Sequence, residues 1–358
     1  MAEILDGIRF HAAELESFVG TLFTRMGAPA PTASAVARAV TAASARGFDT
    51  HGVRLVPYYA SLVTGRRVNL AANLVFTRRA PAVGHLDADD GFGHIASFRA
   101  IDEAIAMAKE TGVAVVAVGR SSHHGATGTY THYAAEQGFA AIGMTNSPPI
   151  VVPHDGTTPF FGTNPLSFAL PVEGETPLLL DMATSSMPLN RVELRQAVGS
   201  VLPLGVAIDS TGAETTDPAA VVALLPLGGT VFGHKGAGLA AMVDVLCSVF
   251  TGMPHGNQLP RSADAGIHDW PSVGHFFIVM NPAVFQALAA FNGGVTRFLD
   301  DLRSQPARDG ATIMAPGDVE KGMARERAAE GVPIDRLSWA KISALAEEFG
   351  CDVPVAVN

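Results

Sequence analysis

The stretch Gly112-Val-Ala-Val-Val-Ala-Val118-Gly-Arg-Ser-Ser-His-His124-Gly125 places a short apolar run directly before a polar segment. The run from Val113 to Val118 is rich in β-branched residues and predicts a strand that is buried on both faces. The preceding segment, Gly91 to Gly112, carries apolar residues at helical spacing and predicts a helix that the last glycine ends. A helix leading into a buried strand indicates an α/β or α+β fold.

Outward from this unit, helices are predicted at both ends of the chain and strands in the middle. Predicted helices cover residues 13–26, 32–45 (with Thr32 as cap), 54–63 and 236–250; further strands cover 140–144, 166–170, 178–180 and 276–280. Loops are expected at 254–271 and 304–310. We therefore divide the chain into a helical segment (1–75), a strand-rich region (76–290) and a second helical segment (291–358).

The composition excludes several classes of protein. The chain has 358 residues, which suggests two or three domains, and 48% of them are hydrophobic, enough for a sizeable core. A net charge of −10 without basic blocks argues against binding of nucleic acid, because phosphate contacts require clustered Lys and Arg. Small molecules or other protein chains are the expected partners.

The cysteines and the N-terminus bear on location. Cys247 and Cys351 are too few for a disulfide framework or a thiolate metal cage. Residues 1–6 lack the basic start and apolar run of a signal peptide, and no stretch approaches the roughly 20 apolar residues that span a bilayer. We expect a cytoplasmic protein that does not enter a membrane.

The segment Gly91-Phe-Gly-His-Ile-Ala96 matches a variant of the dinucleotide-binding fingerprint at the start of a helix. Its context argues against that function. Asp87, Asp89 and Asp90 would place three carboxylates where a pyrophosphate needs positive potential. We interpret the glycines as a tight turn that lets the helix pack.

Two turns contain histidine beside other polar groups. Phe48-Asp-Thr-His-Gly-Val-Arg54 combines a hydroxyl, an imidazole and a guanidinium, and Ser121-Ser-His-His-Gly-Ala-Thr-Gly128 follows the buried strand. An imidazole titrates near neutrality and can exchange a proton with a carbonyl or an alcohol, while arginine can hold a carboxylate. Capping or core hydrogen bonding is the alternative for each histidine.

Other uses of histidine are disfavoured by spacing. A metal site would require residues such as His51, His123, His234 and His275 to converge, and no His-x-His or His-x-x-x-His pair adjoins a carboxylate. We therefore expect no metal. The Gly-x-Ser-x-Gly elbow of a serine hydrolase is missing as well.

Two segments have the character of anion-binding turns. Gly228 to Gly238 is rich in glycine and contains Lys235, and its amides are predicted to lie free before an apolar helix, where they suit a phosphate. Asp181-Met-Ala-Thr-Ser-Ser186 follows a leucine strand and offers hydroxyl groups for a ribose or phosphate. Ordinary turn and cap chemistry is the alternative for both.

Taken together, these segments resemble the malate/L-lactate dehydrogenase family. The shared motifs are Asp49-Thr-His-Gly-Val53, Ser122-His-His-Gly125, Gly162-Thr-Asn-Pro165, Asp181-Met-Ala-Thr-Ser185, Thr216-Asp-Pro218, His234-Lys-Gly236, Gly274-His-Phe-Phe277 and Pro316-Gly-Asp318. The resemblance implies an α/β fold that binds a nicotinamide cofactor, NAD or NADP, without a Rossmann turn, and a homodimer.

The resemblance also assigns residues. His51 matches the family's acid/base histidine with Thr50 beside it, His123 matches a second active-site histidine, and Asn164 lies in a turn expected to shape the substrate site. The matching cofactor contacts are Met182, Ala183, Thr184, Ser185, Ser186, Lys235, Gly236, Pro316, Gly317 and Asp318.

One departure concerns the substrate. Many family members have an arginine four residues after the acid/base histidine, and here that position is Leu55, which leaves Arg54 as the candidate carboxylate anchor. We predict hydride transfer between NAD(P)H and C2 of a small 2-oxo acid. The alternatives are reduction of a cyclic ketimine carboxylate on the same scaffold and a relative that binds a metabolite without turnover.

Overall fold

The structure is a computed structural model that describes residues 7–260, 266 and 269–357. Helices α1 to α10 cover Ala12–Arg25, Ala30–Ala45, Val56–Thr64, Gly93–Thr111, Gly128–Glu136, Leu189–Ala197, Gly229–Cys247, Leu288–Arg303, Asp318–Glu330 and Arg336–Glu348. Strands β1 to β11 cover Gly7–Phe10, Val75–Ala80, Val83–Asp87, Val113–Ser121, Ala140–Thr145, Leu166–Leu170, Leu178–Met182, Ala207–Ile208, Ala223–Leu224, Val273–Met280 and Val332–Asp335.

Seven strands form one mixed sheet in the order β2-β3-β4-β10-β5-β6-β7. Only β3 and β4 pair in parallel within it; β10 runs antiparallel to both β4 and β5, and β6 runs antiparallel to β5 and β7. Strands β4, β5 and β7 therefore end at the edge where β6 and β10 begin, and we call this edge the site edge (residues 121–123, 145–146, 164–166, 182–184 and 273–275). A mixed sheet confirms the predicted non-Rossmann α/β fold.

The apolar run of β4 lies at the centre of this sheet, as its composition predicts. Ala114, Val116 and Val118 have no accessible surface, and Val116 pairs with Phe277 of β10. Helix α4 packs on the same core and ends at Gly112, which adopts the left-handed conformation (φ 82°) that glycine tolerates best. The strand is buried because it has a sheet neighbour on each side and a helix on each face, α4 on one and α7 on the other.

The two ends of the chain share a hydrophobic core. Strands β1 and β11 form an antiparallel pair, and the Phe10 ring lies 4.2 Å from that of Trp339. Side chains of α1, α2, α3 and α10 complete the core. Parts of both predicted terminal segments therefore share one core, whereas Leu299 of α8 packs with Leu178 of β7. The boundaries at residues 75 and 291 remain a prediction.

Helix α7 corrects one predicted boundary. It begins at Gly229 rather than at Gly236, so the glycine-rich segment is part of the helix and not a turn before it. A Cβ on Gly236 would lie 2.3 Å from the Leu227 carbonyl oxygen. The glycines serve close packing of the helix on residues 226–227, which the sequence pattern alone does not distinguish from a turn.

Helix α2 corrects a second boundary. The helix begins at Ala30 with Pro29 at its N-cap, and Thr32 is a buried residue of the first turn instead of the cap.

Residues 304–310 contain no helix or strand, as predicted, whereas the predicted loop 254–271 falls partly outside the described residues. Within the described part of the chain, no helix is long and apolar enough to cross a bilayer.

Candidate active site

The rings of His51 and His123 lie next to each other at the site edge. Their centroids are 5.8 Å apart and their planes are inclined by 21°. His123 follows the end of β4, and His51 ends a short 3-10 turn that begins at Asp49. A buried ion pair between Asp49 and Arg327 of α9 fixes that turn, with Nη2 2.8 Å from Oδ2. The structure thus brings together the two histidines that the resemblance assigns to an active site, while the roles of the two rings remain predictions.

Hydrogen bonds define the tautomer of His123. Its Nδ1 accepts the backbone N–H of Gly125 at 3.3 Å and lies 2.8 Å from the Tyr59 hydroxyl. Because a backbone N–H can only donate, Nδ1 carries no proton, and the Tyr59 hydroxyl donates to it as well. The neutral His123 ring therefore carries its proton on Nε2, which is the form that donates a hydrogen bond to a carbonyl oxygen.

Tyr59 is a site residue that the sequence analysis missed. It is fully buried in the first turn of α3, eight residues after His51, and a 3-10 turn at Val53–Leu55 links this helix to the histidine turn. The available signal is a tyrosine on the buried face of a helix that starts five residues after His51. The corresponding partner of His51 was predicted, since Thr50 Oγ1 lies 3.0 Å from His51 Nδ1.

Burial keeps both rings neutral. It lowers the pKa of His51 to about 4. Burial also lowers the pKa of His123 well below its usual value, and the neighbouring His51 adds to the effect. Neutral imidazoles at pH 7 can accept a proton from an alcohol and can donate an N–H to a carbonyl.

A second pair of imidazoles lies behind the first. His124 and His275 stack with centroids 4.2 Å apart and have no accessible surface. His275 is held between the hydroxyls of Thr145 and Ser121, each at 2.8 Å. These hydroxyl partners fix the His275 ring, and the His124 ring stacks on it.

The four histidines considered for a metal do not converge. His234 lies on α7, where its ring is 5.5 Å from that of His154. Among the described residues, no group of three or more His, Cys, Asp or Glu side chains is arranged to hold a metal ion.

Two of the predicted cofactor segments are neighbours. Residues 182–186 follow β7 at the site edge, where the Leu227 N–H donates to Thr184 and the Ser186 hydroxyl donates to Pro226. Gly236 packs on the same residue, Leu227. Asn190, a few residues later, donates its amide to the Thr50 carbonyl at 3.0 Å and so links this region to the His51 turn.

Lys235 is placed differently from the prediction. It lies inside α7, where the backbone amides bond within the helix, so the predicted cradle of free amides is wrong. The side chain is exposed, with Nζ 5.4 Å from the centroid of the Phe232 ring. Contact between Lys235 and a cofactor remains a prediction.

The third predicted cofactor segment, Pro316 to Asp318, leads into α9. The Pro316 carbonyl accepts the Leu179 N–H at 3.4 Å, so the turn lies along β7, the strand that carries residues 182–186 at its end. Asp318 pairs with Arg303 at 2.6 Å and accepts the Ala315 N–H. All three predicted cofactor segments therefore contact β7, the residues that follow it, or Leu227, which bonds to those residues.

The two predicted substrate residues make contacts within the protein. Nε of Arg54 lies 3.0 Å from Asp335 and 3.3 Å from the Ser338 hydroxyl, both near the start of α10. Asn164 is fully buried and donates to the Ala240 carbonyl of α7. Substrate contact by Arg54 and Asn164 remains a prediction.

The turn at Gly91–Ala96 is filled by the protein's own groups. The Gly93 N–H donates to the Ser122 hydroxyl at 3.0 Å. The preceding carboxylates, including Asp87 and Asp90, bind the Arg120 guanidinium. The interpretation of this segment as a turn that packs a helix is confirmed.

Two neutral imidazoles at one edge of a mixed sheet, beside a segment rich in hydroxyls, define a site for proton exchange on a small ligand. The sequence profile of the malate/L-lactate dehydrogenase family matches residues 10–343. The chain is 34% identical to a malate dehydrogenase of Pyrococcus abyssi over 96% of this chain and 95% of that protein. It is 35% identical to the ureidoglycolate dehydrogenase (NAD(+)) of Escherichia coli K12, over 84% of this chain and 85% of that one.

Solved structures agree with these matches. The malate dehydrogenase of Pyrococcus horikoshii OT3 superposes with a TM-score of 0.88 at 31% identity, covering 97% of both chains. A delta1-piperideine-2-carboxylate reductase from Pseudomonas syringae gives a TM-score of 0.83 at 30% identity, covering 94% of this chain and 99% of that one. The chain belongs to the malate/L-lactate dehydrogenase family, as its motifs predict, and is an oxidoreductase of the hydroxycarboxylic acid dehydrogenase type.

Proposed function

We propose that this enzyme transfers a hydride reversibly between NAD or NADP and C2 of a small 2-hydroxy or 2-oxo acid. The observation that carries the proposal is the pair of neutral imidazoles, 5.8 Å apart, at the site edge that also bears residues 182–186. Relatives named as dehydrogenases of malate, ureidoglycolate and hydroxycarboxylates support this substrate class.

The proposed cofactor residues have a suitable character. Residues 182–186 offer backbone groups and hydroxyls, and Lys235 on α7 supplies an exposed positive charge that suits a phosphate. A Cβ on Gly317 would lie 2.8 Å from the Leu179 backbone nitrogen, so the Pro316–Asp318 turn is closely fitted to β7. When bound, the nicotinamide supplies or accepts the hydride.

The proposed division of labour follows from the hydrogen bonds. His51, oriented by Thr50, accepts the hydroxyl proton of a 2-hydroxy acid during oxidation and returns it during reduction. His123 donates its Nε2–H to the same oxygen and stabilises the charge that develops there. Arg54 is the proposed anchor for the substrate carboxylate.

A panel of 2-oxo acids and cyclic imino acids, each with NADH and with NADPH, tests the proposal. We expect turnover of 2-oxo acids and a loss of about 10²–10⁴ in kcat for His51→Ala, the usual effect of removing a general acid or base. Preference for a cyclic imine would favour the ketimine reductase alternative. Failure to oxidise either cofactor with any compound would favour a relative that binds without turnover.

We propose that the enzyme is a homodimer in which exposed apolar side chains of α7 and of the turn after it meet a second copy of the chain. Exposed apolar surface is typical of an interface where it forms a patch. The residues are 41–70% exposed: Val231, Phe232, Met242 and Val245 of α7, and Val249 and Phe250 after it. In light scattering we expect a dimer, and a monomer for Val245→Lys. Leu337→Lys, an exposed apolar residue on α10, is the control that keeps the dimer.

We also propose that the enzyme acts in the cytoplasm. Both cysteines are free thiols. A chain with few cysteines and no disulfide among its described residues suits a reducing compartment. Fractionation of the native host would test the location.

A further inference from the structure

His94 is a buried imidazole in the Gly91–Ala96 turn, and the family motifs assign it no role. It lies in the first turn of α4 and has no accessible surface. Neither ring nitrogen has a hydrogen-bond partner among the residues that the structure describes. Orphaned polar atoms of this kind are rare in protein interiors, and an ordered water normally satisfies them.

The surroundings of His94 offer a place for such a water. The Tyr59 ring meets the His94 ring edge-on, with centroids 4.5 Å apart. A Cβ built on Gly125 would lie 3.3 Å from the His51 carbonyl oxygen, 3.6 Å from the Tyr59 hydroxyl and 3.7 Å from His94 Nε2. Polar atoms of three separate segments therefore converge beside a glycine, and an internal water needs two to four such partners.

We propose that His94, Tyr59 and the His51 carbonyl bind one internal water, and that this water completes a chain of hydrogen bonds ending at His123. The Gly125 N–H makes His123 Nδ1 an acceptor, so the Tyr59 hydroxyl donates to it. The Tyr59 oxygen then accepts from the water, and the water accepts from His94 Nε2–H. The second hydrogen of the water goes to the His51 carbonyl.

Every donor along this chain points toward the atom on which His123 acts. When negative charge develops on the oxygen that His123 contacts, each hydrogen bond in the chain strengthens the next. His94 thus acts as a positioning residue that never touches the substrate. The effect of His94 on the reaction rests on the proposed function. The binding of the water and the tautomer of His123 do not depend on that function.

The test compares His94→Leu with His94→Gln, whose amide can still donate to the water. Imidazole ¹⁵N NMR of the protein without cofactor or substrate reports the His123 tautomer directly. For His94→Leu we expect the ¹⁵N resonance of His123 Nδ1 to shift, because the Tyr59 hydroxyl donates to it less strongly, while the Gly125 N–H keeps the proton on Nε2. We also expect a fall in kcat of about tenfold, smaller than the 10²–10³ that follows loss of a direct donor. KM should not change, and His94→Gln should restore both properties.

His132→Gln is the matched control, because His132 is another buried histidine, on α5, where it bonds to Arg46. It should leave the His123 spectrum and kcat unchanged. An unaltered His123 spectrum in His94→Leu would overturn the proposal, and so would a high-resolution crystal structure without water between His94 and Tyr59. If His94→Leu does not fold, the wild-type spectrum and the crystal structure decide. Absence of activity on every substrate would refute the proposed function and leave the water and tautomer tests intact.

Discussion

At the residue scale, the Tyr59 hydroxyl is the group that orients His123. Tyr59→Phe removes the donor to Nδ1 and leaves the ring packing in place. We expect kcat to fall about tenfold or more while KM changes little, because the lost bond acts through His123 on the charge that develops during reaction. Steady-state kinetics with the best 2-oxo acid measures both constants.

Tyr133→Phe is the control for this change. Tyr133 also donates its hydroxyl to a side chain, Asp102, but on the outer face of α5. Equal kinetics for Tyr59→Phe and Tyr133→Phe would show that the Tyr59 hydroxyl has no part in the reaction.

Arg54 is the second residue on which the proposed chemistry depends. Arg54→Met should raise KM for a 2-oxo acid by roughly 10–100-fold, since a hydrogen bond to a charged group contributes about 1.5–3 kcal/mol. Asp335→Asn removes the charge that pairs with Arg54 but keeps the guanidinium and a capping side chain. It should lower Tm and leave KM near that of the wild type.

The comparison separates two roles for Arg54. Similar KM values for Arg54→Met and the wild type, together with a lower Tm, would mean that Arg54 only holds α10. The substrate carboxylate would then be bound by another residue.

At the scale of elements, α7 shows how glycines position a proposed cofactor segment. In Gly236→Ala, the new methyl group meets the Leu227 backbone, so we expect a loss of about 1–3 kcal/mol in the free energy of unfolding. In Gly238→Ala, two residues along the same helix, no atom lies within 4 Å of the new Cβ. This control should gain about 0.5–1 kcal/mol from helix propensity.

Urea unfolding of the two variants measures the difference. Equal stability would contradict the close packing of α7 on residues 226–227. A loss in Gly236→Ala should also weaken cofactor binding, because residues 182–186 bond to the same segment.

Secondary structure was predicted best where the signal is local. The periodicity of 91–112, the β-branched run of β4 and the strand Leu166–Leu170 were all assigned correctly. The β1–β11 pair was missed because its partners, such as Gly7 and Asp335, come from opposite ends of the chain. The start of α7 was misplaced because glycine favours turns locally and is tolerated in a helix only when packing requires it.

At the scale of the whole molecule, the buried imidazoles make stability depend on pH. Burial lowers the pKa of His94 and of His275 to about 3, against 6.5 in an unfolded chain. Between these values the unfolded state binds more protons, so this stability is complete above about pH 6.5 and is lost as the pH falls toward 3. Each histidine then contributes a slope of up to about 1.4 kcal/mol per pH unit.

Thermal unfolding followed between pH 7 and pH 4 measures this slope. We expect a steep fall in Tm for the wild type and a shallower one for His275→Gln, which no longer titrates. His11→Gln, at an exposed position before α1, is the control with an unchanged slope. Parallel curves for His275→Gln and the wild type would contradict the assignment.

The sequence by itself determined the α/β class, the family and the two histidine turns, because these depend on local apolar patterns and on short motifs whose residue types limit the chemistry. Only the tertiary structure decided that His51 and His123 lie 5.8 Å apart, that the Gly125 N–H sets the His123 tautomer and that Lys235 lies within a helix. Those features depend on the order of strands in a mixed sheet and on contacts between distant segments. Packing of the whole chain selects such contacts, and no local pattern encodes them.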